Sequence, residues 1–133
     1  QGAVTGRDPF VPPPMPELAD LFRDECRRRI SALEAVVADC HAAPGDPVSW
    51  DALHQELDSL ANAARAINDP ESEALGRRLA TLARRARDGE TPAGAVLALI
   101  EDAGGAIQDH CPAAAGPERY ARLLAEADAL LGR

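Results

Sequence analysis

The chain contains no lysine: all 14 of its basic side chains are arginine. Schiff-base chemistry and the phosphate-gripping lysine of a P-loop are therefore excluded. Aromatic side chains make up only 3 % of the 133 residues, and the apolar fraction is mostly Ala, Leu and Val. That composition suits close-packed helices better than a sheet. Cysteine is scarce and odd in number, with Cys26, Cys40 and Cys111 in no Cys-x-x-Cys spacing. A disulfide framework is not expected, and a reducing, cytoplasmic setting is. No apolar run approaches membrane-spanning length, and no charged-then-apolar leader pattern opens the chain, so a soluble protein without membrane contact is expected. No nucleophile with its base, glycine-rich phosphate loop or paired-carboxylate motif stands out, which predicts a protein that is not an enzyme and uses no cofactor.

What is present is acid in excess: the net charge is −8 and the isoelectric point about 4.8. Such a field repels nucleic acid and suits protein partners better. The length fits one domain. Residues 1–15 are rich in Pro and Gly and lack periodicity, so they read as a flexible lead-in or the end of a linker from a longer protein, ahead of a helical domain over residues 16–133.

From Pro16 onward, proline starts and glycine or proline stops divide the chain into five segments with apolar residues repeating at three and four. The first helix is predicted from about Pro16 to Cys40, with Leu18, Phe22, Cys26, Ile30, Leu33 and Val37 on one stripe. Asp46-Pro47 supplies an N-cap and a first-turn proline for a second helix reaching about Asn68. Its seam is Trp50, Leu53, Leu57, Leu60, Ala64 and Ile67, and Asp51, His54, Gln55, Asp58, Asn62 and Arg65 lie off it. Asp69-Pro70 opens a third helix carrying Leu75, Leu79, Leu82 and Ala86, which stops at Asp88-Gly89. Thr91-Pro92 opens a fourth, with Val96, Ile100, Ala103 and Ile107, where Gly104-Gly105 predicts either a close helix approach or fraying. Pro117 opens a fifth with Tyr120, Leu124, Ala127 and Leu131. Short loops between the first four predict an all-α, antiparallel up-down four-helix bundle with an additional C-terminal helix.

These residues resemble the histidine phosphotransfer (HPt) domain of chemotaxis-type histidine kinases. The run Glu17-Leu18-Ala19-Asp20-Leu21-Phe22-Arg23-Asp24-Glu25 is similar to the family's opening helix. The Pro-Gly-Asp-Pro linker, a third helix ending Arg87-Asp88-Gly89-Glu90 and a separate fifth helix follow in family order. Aligned without a gap from Arg87 back through Leu82, Leu79, Pro70 and Ile67, the family's His-x-x-Lys-Gly motif falls on this chain with Asp58 at the histidine. Leu60 and Ala64 match its buried positions, Ala61 replaces the lysine and Asn62 the glycine. The resemblance thus implies a degenerate HPt-like module that carries no phosphate. It binds a receiver or histidine kinase domain as an adaptor, and the expected contact residues are His54, Gln55, Asp58, Ala61, Asn62, Arg65, Arg77 and Arg78.

Other readings stand beside this one. Asp58 is equally expected as a solvated helix residue, or, with Glu56 and Asp51, as a mimic of phosphohistidine. His54, one turn earlier, is an alternative phosphoacceptor, although no lysine follows it by three. A scaffolding bundle that dimerises through a seam of the fifth helix is the reading from a different class. Cys40-His41 and His110-Cys111 have zinc-ligand chemistry, but an up-down bundle puts them at opposite ends, about 30 Å apart. No metal site is expected. The arginines Arg27 to Arg29, Arg77, Arg78, Arg84, Arg85 and Arg87 read first as solvated faces paired with acids, with those of the third helix as the first candidates to dock an acidic partner such as a receiver domain.

Overall fold

The computed structural model describes residues 15–110 and 112–132. The rest of the expected lead-in, the side chain of Leu18 and Cys111 lie outside the described residues. Within them the chain is all-helical: α1 (Met15–Ala42), α2 (Pro47–Ala66), α3 (Pro70–Arg87), α4 (Ala93–Asp109), a short 3-10 turn (Ala113–Ala115) and α5 (Pro117–Leu131). α1 therefore begins one residue inside the expected lead-in and runs two residues beyond Cys40.

The proline starts work as anticipated. Asp46 accepts a hydrogen bond from the Val48 amide at 3.0 Å, and Pro47, which has no amide to satisfy, occupies the first turn. Asp69 repeats the device for α3 and is itself buried. Its carboxylate also accepts from the Ser72 hydroxyl at 2.7 Å and the Ala113 amide at 3.0 Å. One side chain thus joins the start of α3 to the α4–α5 connection. Trp50 does the same at the other turn, burying its ring while Nε1 donates to the Pro44 carbonyl at 2.8 Å.

The apolar stripes meet in one core. Cys26, Ile30, Leu33 and Val37 of α1, Leu53, Leu57 and Leu60 of α2, Leu75, Leu79 and Leu82 of α3, Val96, Ile100 and Ile107 of α4, and Tyr120 and Leu123 of α5 are all buried. Each large side chain so removed from water stabilises the fold by about 1.5–3 kcal/mol. α3 packs against α2, α4 and α5, and α1 against α2 and α4. Pairs that descend α2 as they climb α3, such as Asp51 with Arg87 and Asp58 with Arg77, show that these two helices run antiparallel.

Two expectations need correction. Ile67 was expected on the buried seam of α2, but the helix ends at Ala66 and Ile67 is 39 % exposed. Asn68 follows with a φ of 58°, the left-handed conformation that Asn tolerates best after Gly and that turns the chain away from the helix path. Gly104-Gly105 does not fray α4, which continues to Asp109, and of the two only Gly105 is crowded, where an added Cβ would stand 3.1 Å from the Arg119 side chain of α5. A Cβ on Gly104 would meet only Ile30 Cγ2 at 3.9 Å, an ordinary contact. The tight approach of one helix backbone to another is at Gly76 of α3, where an added Cβ would stand 3.0 Å from Ala61 Cβ and 3.3 Å from the Ala61 backbone. α2 and α3 are in backbone-close contact there because neither helix presents more than a methyl group.

Candidate functional site: the polar seam of α2 and α3

Steps of three and four from His54 place Asp58, Asn62 and Arg65 along one flank of α2. Arg77 of α3 leans across to meet them. Its Nη1 lies 3.2 Å from Asp58 Oδ1, its Nη2 donates to Asn62 Oδ1 at 2.7 Å, and Glu73 Oε2 is 3.6 Å away. The Asp58 and Arg77 side chains are 41 % and 40 % exposed, so solvent or a partner reaches both. Farther along, Arg87 bridges Asp51 at 2.8 Å and Asp88 at 2.9 Å, and its hydrogen bond holds the Asp88 carboxyl below the usual carboxylate range.

His54 is more enclosed, with its side chain 17 % exposed. Its Nδ1 lies 2.8 Å from the Ala80 carbonyl. A carbonyl can only accept, so Nδ1 carries the hydrogen of that bond. Nε2, the one nitrogen left for chemistry, faces Asp58 Oδ2 at 3.1 Å. A carboxylate in that place opposes the approach of a phosphoryl group, which is itself anionic. Asp58 in turn is not a bare anion: an imidazole and a guanidinium flank it, which reduces its likeness to a doubly charged phosphoryl group.

Of the residues expected to form a partner surface, the seam brings together His54, Asp58, Asn62 and Arg77. Gln55 and Arg65 are exposed on the same helix. Two do not belong to it. Ala61 is fully buried in the α2–α3 contact opposite Gly76, because position 61 points between the helices rather than outward. Arg78 turns to the other side of α3, where Nε donates to Asp128 of α5 at 2.7 Å. Residues the sequence reading passed over are Glu73 and Thr81 of α3, whereas Arg84 was read only as one of a group of arginines. Thr81 and Arg84 are exposed, and the i, i+4, i+7 spacing of Arg77, Thr81 and Arg84 was available as a signal.

Among the described residues, α5 does not cover the seam. α5 packs on α3 and α4, with Tyr120, Ala127 and Leu131 buried. That stripe is therefore turned into the fold, with Leu124 only partly buried beside it. Among the described residues, no group of three or more His, Cys, Asp or Glu side chains could hold a metal ion. His41 lies 3.5 Å from Glu101 instead. No helix of the described residues is long and apolar enough to cross a membrane. A scan of protein-family models finds no match, and neither does a search of curated proteins or of solved structures.

Proposed function

We propose that this chain is an HPt-like adaptor without phosphotransfer chemistry, an antiparallel up-down four-helix bundle with a fifth helix docked on one side. It binds a receiver or histidine kinase domain in the cytoplasm through the α2–α3 seam around Asp58. The observation that carries this reading is the pairing of an open seam with a closed position 61. Asp58, Asn62 and Arg77 remain accessible, but the place where the resemblance implies a lysine is filled by the contact of Ala61 with Gly76. Without that cation, charge on a transferring phosphoryl group would be left unbalanced.

The test is a pair of measurements on the full chain. Incubation with a histidine kinase and labelled ATP leaves the protein unlabelled, and pull-down with isolated receiver domains retains at least one, with Asp58→Ala or Arg77→Ala reducing capture. Label that appears and is lost in His54→Gln would instead establish His54 as a phosphoacceptor. A second reading, a scaffolding bundle that forms homodimers, draws on the exposed Leu21 and Val48, 62 % and 71 % accessible. Concentration-dependent dimerisation in sedimentation, with no receiver captured, favours it.

A further inference from the structure

α3 is strongly basic within an acidic protein: its 18 residues hold five arginines and two glutamates, whereas the whole chain carries −8. Three of the five are engaged in holding the fold. Arg78 binds Asp128, Arg85 donates to the Leu131 carbonyl at 3.0 Å, and Arg87 holds Asp51 and Asp88. Arg84 is exposed and makes no ion pair among the described residues, since Asp88, one turn on, is already held by Arg87. Arg77 is half-exposed: one of its nitrogens meets Asp58 at 3.2 Å, and the other donates to Asn62 at 2.7 Å with Glu73 3.6 Å away.

Seven residues, two helical turns, separate Arg77 from Arg84, so the two project from one face about 10 Å apart along the axis. Between them on that face lies Thr81, exposed, its hydroxyl turned back to the Arg77 carbonyl at 3.1 Å. No acidic residue of α3 falls between positions 77 and 84. A planar guanidinium pairs best with a carboxylate that meets two of its N–H groups at once. The present contact of Arg77 with Asp58 falls short of that, and a better-placed carboxylate competes with it.

We propose that the Arg77–Thr81–Arg84 stripe docks an acidic helical segment of a partner protein, with Arg77 passing from Asp58 to a carboxylate of that segment. The location rests on the adaptor reading; the partner's chemistry does not. An acidic partner is repelled by most of this surface and attracted at α3, so charge itself selects the docking face and its orientation.

The experiment titrates the full chain against a labelled helical peptide bearing glutamates at i and i+7, with a glutamine version as comparison. The glutamate peptide binds more tightly, and its binding weakens with salt. Arg77→Gln and Arg84→Gln each weaken it by about tenfold. Arg122→Gln on α5, which removes the same charge elsewhere, changes it by less than about twofold. Asp58→Asn strengthens it more than Glu34→Gln does, because only the first removes a carboxylate that competes for Arg77. Equal binding of the two peptides, no binding of either, or indifference to Arg84→Gln overturns the proposal. Receiver capture that persists unchanged in Arg84→Gln overturns it as well and leaves the adaptor reading standing. Peptide binding through both arginines with no receiver captured supports the stripe and removes the adaptor reading.

Discussion

At Ala61 a single methyl group sets how closely α2 and α3 approach. With its side chain buried and Gly76 opposite, the position has no path for a lysine to reach solvent. Introducing the His-x-x-Lys-Gly residues that the resemblance implies, by Asp58→His, Ala61→Lys and Asn62→Gly, therefore costs stability. Ala61→Lys alone is expected to destabilise by ~3 kcal/mol or more, the cost of burying an unpaired cation or forcing the helices apart. Gly76→Ala tests the same contact more gently. Alanine favours a helix by about 1 kcal/mol over glycine, yet the 3.0 and 3.3 Å contacts with Ala61 make the net change destabilising, by about 1–2 kcal/mol. Urea midpoints of both variants check these signs. Cys40 offers a titratable counterpart. Burial first, then the carboxylates of Asp39 and Asp46, push its thiol from 9.0 up to about 11. The unfolded thiol ionises first, so unfolding releases a proton between those values and stability falls as pH rises from about 9 to about 11. Urea midpoints across that range decline for the parent chain, and Cys40→Ala removes the part of the slope that Cys40 causes.

At the scale of the element, the ends of helices were more legible than their faces. Asp46-Pro47 and Asp69-Pro70 announced α2 and α3 because capping and proline geometry are local. The second task of Asp69 was not legible, since its partner Ala113 is 44 residues away. The same holds for the seam. Asp58 and His54 were readable as neighbours one turn apart, but Arg77 joins them only through tertiary packing, and Arg78, its chain neighbour, faces α5. Small residues hid the rest: Gly76, Ala80 and Ala83 are buried on α3 beside the leucine stripe, and hydrophobic periodicity gives such residues little weight. Asp69→Ala removes the α3 cap and leaves the Ala113 amide and the Ser72 hydroxyl without their acceptor. The expected loss is about 2–3 kcal/mol. Hydrogen exchange should show faster amide exchange at both the start of α3 and residues 113–116, with α2 changed least; a response confined to α3 would reduce Asp69 to an ordinary cap.

At the scale of the whole molecule, α5 reads from the sequence as an addition to a four-helix bundle, but its contacts make it part of the core. Tyr120, Leu123 and Leu131 are buried, worth about 1.5–3 kcal/mol each. Tyr120 also donates from its hydroxyl to the His110 carbonyl at 2.8 Å. Arg78 with Asp128 and Arg85 with the Leu131 carbonyl fasten the helix along α3. A domain of ordinary size has only about 5–15 kcal/mol of net stability, so these contacts account for much of it. A chain ending at Gly116 should therefore lose most of its cooperative unfolding transition, with reduced helical circular dichroism and binding of a hydrophobic dye. The loss would also free Arg78 and Arg85, which the intact fold withholds from partners. If the truncated chain instead melts cooperatively near the parent temperature, α5 is accessory, and the number of arginines that α3 can offer rises from two to four.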